Sequence, residues 1–293
     1  MLDLQIRLAQ LREKAQARAA ALPRPPTPSL AERLDRLRVT GEVRRPPTAE
    51  ALAAAVGGTV VAPGLVELSR SFPLPLRHGH VSIASGDGLA AAARSVGRLA
   101  EPLAPESLLF LDTETTGLAG GTGTVAFVVG LAWVEGCTLR VVQWLMAGFA
   151  AEPELLDRVR VRFARARLLV SFNGKSFDLP LLEARARLNG GDLATAGLAH
   201  LDLLHVTRRL LHAGWPDCRL RTAESHALRL ERVNDLPGAE APAAWRRWLG
   251  RGDAGALARV LDHNRADLLS LVALLALLER PTVREAPLLH AAA

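Results

Sequence analysis

Between residues 107 and 146 the apolar positions come in three short runs, 107–113, 125–134 and 138–146, separated by Gly, Thr and Glu. Runs of that length bounded by turn residues predict buried strands. Glu135-Gly136 fits a hairpin turn between the second and third, and Gly-rich residues separate the first two. The period then lengthens to that of a helix: Leu155, Leu156, Val159 and Phe163 share one face of a segment from Glu152 to about Arg165. Leu168 to Phe172 predicts a fourth strand and Asp178 to Leu188 a second helix. Ala199 to Val206 predicts a fifth strand running into a helix, and residues 218–280 read as mostly helical, ending in the apolar helix Leu257 to Leu278. Hairpin-connected strands followed by alternating helix and strand imply a mixed, five-stranded α/β sheet flanked by helices.

Upstream the pattern is weaker. Leu4, Leu8 and Leu11 recur at helical spacing within residues 2–21, and Pro23, Pro25, Pro26 and Pro28 form a stiff break. Ser29 offers an N-cap for a short helix to about Arg38. After Pro46-Pro47 an Ala-rich helix is expected from Thr48 to Val56, ended by Gly57-Gly58, and Thr59 to Leu74 alternates as two short strands around Pro63-Gly64. The expected organisation is a mainly helical accessory region over 1–100, an α/β domain over 101–281 and a tail over 282–293.

Composition sets the surroundings. Apolar residues make up 49% of the chain, yet its runs fall far short of the roughly 18 residues of a membrane span. Arg7, Arg12, Lys14 and Arg18 interrupt the N-terminus, unlike a secretory leader. Cys137 and Cys218 are too few for a disulfide framework or a Cys-rich zinc site. A cytoplasmic location is therefore expected. The net charge of +6 suits a polyanionic partner. Two lysines, no tyrosine and abundant Ala and Arg dilute that inference, because a GC-rich coding sequence produces the same bias.

Chemistry enters at Asp112-Thr113-Glu114, the exit of the first predicted strand. Residues i and i+2 of a strand share a face, so both carboxylates aim together and repel unless a cation lies between them. Alone, such a pair is more often a solvated turn. Two later stretches answer it. Asn173-Gly174-Lys175-Ser176-Phe177-Asp178 ends a strand and opens a helix, placing Asp178 near the positive end of the helix dipole. His263 and Asp267 stack four residues apart near the start of the last helix. Asp202, at a predicted strand end, is a reserve acid. Phosphate-loop motifs are excluded. Leu169 stands where a P-loop needs Gly, and Gly120-Gly121-Thr122-Gly123 opens no helix.

In this order and on these elements the motifs resemble those of the DEDD superfamily of 3′-to-5′ exonucleases, which have the ribonuclease H-like fold. A nearer resemblance is to bacterial YprB-type ribonuclease H-like proteins. It is carried by Phe172 to Pro180, Cys218 to Glu224, Leu230-Glu231-Arg232, Asp235 to Gly238 and His263-Asn264. The resemblance implies that Asp112, Glu114, Asp178 and Asp267 hold two Mg²⁺ or Mn²⁺ ions, with Asp112 bridging. An oxygen-only ligand set suits hard cations, and a pair of them activates water and stabilises a departing alkoxide. The last motif departs from the superfamily, whose members have Tyr four residues or His five residues before the final Asp. Here His263 takes the four-residue spacing, and two roles stay open for it: general base, or support of Asp267.

The same resemblance puts Asn173 beside the scissile nucleotide and Thr115 near the terminal sugar. Lys175 either meets a phosphate or is a solvated turn residue. Arg158, Arg162 and Arg165 share a helical face that either tracks a nucleic-acid backbone or is solvated, and Trp245 and Trp248 either stack on bases or lie in the core. The expected activity is two-metal 3′-to-5′ exonuclease cleavage of single-stranded or frayed nucleic acid ends, DNA slightly preferred over RNA. Protein partners are unspecified and no membrane is involved. The rival expectations are a nucleic-acid-binding module with a weak or silent site, and a structure-selective endonuclease.

Overall fold

The computed structural model describes residues 47–117, 123–232, 236 and 238–279. The helices expected within 2–21 and from Ser29 to Arg38, the Gly-rich residues 118–122 and the tail 282–293 fall outside them. The chain divides into two units, 1–45 and 46–293, and the described residues all belong to the second.

Thr48 accepts a hydrogen bond from the Ala51 N–H at 3.2 Å and starts helix α1 (Ala49–Val56), which stops at left-handed Gly57. Strands β1 (Thr59–Ala62) and β2 (Leu65–Pro73) form a hairpin. A separate small ladder of β3 (Leu76–His78) and β4 (Val81–Ile83) leads to α2 (Gly86–Gly97), capped by the Ser85 hydroxyl. Next come β5 (Leu108–Thr115), β6 (Ala126–Glu135) and β7 (Thr138–Met146), an antiparallel meander. Helix α3 (Glu152–Phe163) leads to β8 (Leu168–Ser171), and α4 (Asp178–Leu188) to β9 (Ala199–Asp202). Strand β9 runs straight into α5 (Leu203–Leu210). Short α6 (Leu220–Ala223) continues into a π turn at Glu224–Leu228, and α7 (Ala241–Arg251) and α8 (Leu257–Leu278) follow.

Among the described residues seven strands form the main sheet, in the order β1-β2-β7-β6-β5-β8-β9. Strands β5, β8 and β9 run parallel and the other pairs antiparallel. The mixed α/β sheet flanked by helices is as the sequence pattern predicts, but it is two strands wider than the predicted five. The additional strands lie at residues 59–73, where the sequence predicts strands but not their partner. Strand β2 pairs along β7, from Leu65 opposite Met146 to Pro73 opposite Thr138. Alternation is a local signal, whereas sheet membership depends on a partner far along the chain.

Both faces of the sheet are covered. Leu109, Leu111 and Leu131 share a core with α1, α3 and α7, while Leu108 and Phe110 share one with α2, α5 and the second half of α8. Burial on both sides makes β5 an unbroken apolar run. Strand parity then places the acids. Asp112 and Glu114 continue the Leu108–Phe110 series toward α8, and Thr113 continues the Leu109–Leu111 series. Trp245 and Trp248 are core residues, their indole N–H groups donating to the carbonyls of Met146 and Ala147 at 3.0 and 2.9 Å. The arginine face of α3 packs back on the protein: Arg158 donates to the Val61 carbonyl at 2.8 Å, and Arg162 lies 3.5 Å from the Trp133 ring centre. No helix among the described residues is long and apolar enough to cross a membrane.

Candidate functional site

Asp112 sits where the apolar run of β5 ends. The apolar stripe of α8, Leu257, Val260, Leu261 and Leu268, includes one polar member, fully buried Asn264. Its amide donates to the main-chain oxygen of Asp112 at 3.1 Å and to its Oδ2 at 2.6 Å. The Asn264 oxygen accepts from buried Gln143 at 2.8 Å, and Gln143 also donates to the Leu261 carbonyl at 2.7 Å. Gly130, opposite Asp112 on β6, leaves the space for this: a Cβ there would collide with the Asn264 side-chain oxygen and with Leu268. The Asp112 carboxylate is thus oriented by a chain of amides from two other elements.

Asp178 is the first residue of α4, delivered by the loop that follows β8. Asn173 takes a left-handed φ of 68°, which Asn tolerates better than most residues. Asp202 spends its carboxylate on this loop: it accepts the N–H groups of Asn173 at 2.7 Å, Lys175 at 3.1 Å and Leu204 at 3.0 Å. The reserve acid thereby staples the loop to the end of β9. The Thr113 hydroxyl donates to Asp178. Burial pushes Asp178 up to about 6, against the pull of the Thr113 and backbone hydrogen bonds and with added repulsion from Asp202 and Asp267.

A cavity of about 290 Å³ opens between β5 and this loop, lined by Asp112, Thr113, Thr115, Asn173, Phe177 and Asp178, with Gly117, Thr124 and Leu181. Phe177 is 55% exposed at its rim, an unusual position for a large apolar side chain. Lys175 is exposed in the same loop and does not line the cavity.

Asp267 and His263 lie one turn apart on α8, with His263 Nε2 3.7 Å from Asp267 Oδ2. Arg232 reaches them from the segment after the π turn. One guanidinium nitrogen pairs with both Asp267 and Glu224, and the other meets His263 Nδ1 at 3.2 Å. Arginine only donates, so Nδ1 accepts and the ring proton sits on Nε2. Fully buried Glu224 also receives the Ser270 hydroxyl, which in turn meets His78 Nε2 at 2.9 Å. Burial lowers His78 to about 4, with Arg232 adding to the effect, so its ring is neutral at pH 7. Burial pulls Arg232 down, but Asp267 and Glu224 more than offset this and its net shift is upward.

Asp112 is held well above the usual carboxylate range, first by burial and then by repulsion from Asp267, Glu114 and Asp178, against the hydrogen bond from Asn264. Carboxylates supply only oxygen ligands, a chemistry that fits Mg²⁺ or Mn²⁺. Asp112 and Asp178 line one cavity, and among the described residues no three His, Cys, Asp or Glu side chains stand close enough to cage an ion. Sequence reasoning assigns no role to Asn264, Gln143, Gly130, Thr113, Phe177, Glu224 or Arg232. Phe177, Glu224, Arg232 and Asn264 fall within the stretches that carry the resemblance, Asn264 is also the polar break in an apolar helical stripe, and Gly130 is the glycine inside an apolar strand.

The class follows from fold and sequence together. Residues 109–279 match the RNase_H superfamily, and the chain belongs to it. Over 169 residues it is 36% identical to the uncharacterized protein YprB of Bacillus subtilis, a stretch covering 57% of this chain and 41% of YprB. The chain thus spans about two fifths of that relative. Among solved structures, similarity extends to a family B DNA polymerase of the archaeon Pyrobaculum calidifontis, with a TM-score of 0.45 and 14% identity over 77% of this chain and 30% of that one. It extends also to E. coli exonuclease I in complex with a dT13 oligonucleotide, with a TM-score of 0.42 and 16% identity over 61% of this chain and 42% of that one.

Proposed function

We propose that the chain is a metal-dependent 3′-to-5′ exonuclease of single-stranded or frayed nucleic acid ends, acting on DNA in preference to RNA, in the cytoplasm, with residues 101–281 as its catalytic domain. The observation that carries this reading is the placement of Asp112 and Asp178 on one cavity, beside the Thr113 hydroxyl that donates to Asp178, in a fold of the RNase_H superfamily. Asp112, Glu114, Asp178 and Asp267 are the residues that would hold two Mg²⁺ or Mn²⁺ ions, which when bound supply an activated water and charge stabilisation for the leaving alkoxide.

The chain's own groups do the rest. Asn264 orients Asp112 and Thr113 orients Asp178. Phe177 offers an apolar face to the terminal base, Thr115 and Asn173 offer polar contacts to its sugar, and Lys175 meets a phosphate at the mouth. His263 supports Asp267, because its Nδ1 lone pair already takes a hydrogen bond from Arg232.

The test is release of nucleotides from 3′-end-labelled and 5′-end-labelled oligonucleotides with Mg²⁺ or Mn²⁺. Early release of the 3′ label, abolished by Asp112→Ala, is expected; no release, or release unaffected by that substitution, refutes the reading. The pairing of Arg232 with Asp267 favours one rival, a nucleic-acid-binding module with a silent site. Metal-independent binding without cleavage would identify it. A structure-selective endonuclease would instead cut a circular single strand.

A further inference from the structure

We propose that Arg232 is a counter-ion that sets the affinity of the cation site, by occupying the same Asp267 carboxylate that a divalent ion needs. The proposal rests on the nuclease reading for the location of the ion, and on geometry for everything else. Arg232 is nearly buried, its side chain 9% exposed, and it bridges Asp267 to Glu224, whose side chain is 1% exposed.

The two halves of that bridge are unequal. Glu224 lies outside the acid cluster and is anchored by the Ser270 hydroxyl, behind which stands His78. Asp267 belongs to the cluster and repels Asp112. If the Asp267 contact opens, Arg232 keeps its partner in Glu224 and no buried charge is left uncompensated. The Glu224 contact is thus fixed and the Asp267 contact exchangeable. Arginine also stays charged at any working pH, so loss of its own proton does not switch the contact off. At neutral pH a competing cation is what displaces it. A dication brings twice the charge and a ligating geometry, whereas the guanidinium divides its charge between Asp267 and Glu224, and the Asp267 Oδ1 that it occupies is the oxygen the two would contest.

The experiment is titration of the metal-free full chain with Mn²⁺ alone, followed by calorimetry and by the spin-resonance signal of free Mn²⁺, with no nucleic acid present. Arg232→Gln is expected to bind Mn²⁺ about 5- to 150-fold more tightly than the native chain, the usual range for coupled sites. Adding Asp267→Asn to it should remove the gain. Should Arg232→Gln fail to fold because Glu224 loses its partner, Arg232→Met with Glu224→Gln removes both charges and carries the same expectation. Affinity equal to or weaker than native in a folded variant overturns the proposal, as does a gain that survives Asp267→Asn, or no Mn²⁺ binding by any of the proteins. Tighter Mn²⁺ binding with no nuclease activity would sink only the exonuclease reading. Robust activity with unchanged Mn²⁺ binding in Arg232→Gln would sink only this one.

Discussion

Asn264 holds Asp112 by two hydrogen bonds at once, one to the main-chain oxygen and one to the carboxylate, at 3.1 and 2.6 Å. A carboxylate held in this way cannot rotate to suit its neighbours, so its repulsion from Glu114, Asp178 and Asp267 is built into the fold. Asn264→Ala should cut turnover about 10- to 100-fold, the usual cost of losing a ligand's supporting hydrogen bond. Asn264→Asp should do worse, by adding a fifth acid. Activity within about two-fold of native for Asn264→Ala would remove Asn264 from the positioning role.

Gly130→Ala tests the same relationship from the far side. Its methyl would occupy the space of the Asn264 side-chain oxygen. The substitution keeps every polar group yet should mimic Asn264→Ala in turnover. A crystal structure of the variant with Asn264 undisturbed would refute the steric argument.

Asp178 gives a pH-dependent stability. It titrates at 3.8 when unfolded and about 6 when folded. Between those values the folded chain holds more protons than the unfolded one, so its stability falls as pH rises from about 4 to about 6 and stays lower above. The full penalty is about 3 kcal/mol. Asp178→Asn should therefore raise the melting temperature of the metal-free protein at pH 7 and leave it nearly unchanged at pH 4. Mn²⁺ should raise the native chain's melting temperature more at pH 7 than at pH 5. Equal melting temperatures for native and Asp178→Asn at pH 7 would contradict the burial argument.

Phe177 is the one exposed ring lining the cavity beside Asp112 and Asp178 among the described residues. If it stacks on the terminal base, Phe177→Ala should raise KM for an oligonucleotide by a factor corresponding to about 1–3 kcal/mol, with kcat less affected. Phe177→Trp should retain affinity. A drop in kcat at unchanged KM would point away from base stacking.

The sequence conveyed different parts of this structure with different clarity. The β5–β6–β7 meander, the β8-to-α4 turn and helix α8 were legible because local periodicity and turn residues encode them. Asp112 and Asp178 were legible as neighbours because their motifs fall at a strand end and a helix start. The addition of β1–β2 to the sheet was not, since pairing with β7 is a long-range choice. The role of Asp202 was also hidden: an acid at a strand end looks the same whether it faces a cation or, as here, backbone N–H groups. Arg232 lies in a segment without periodicity, and only the π turn and α8 together bring it to Asp267.

The amide clamp on Asp112 has a consequence for the order of events at the ribosome. Asn264 stands 152 residues after Asp112, on the last described helix. While the chain is being made, β5 and its hairpin partners can assemble as soon as they emerge, but the first acid stays without its clamp and Asp267 does not yet exist. A chain still lacking α8 thus presents Asp112 without the amide that orients it.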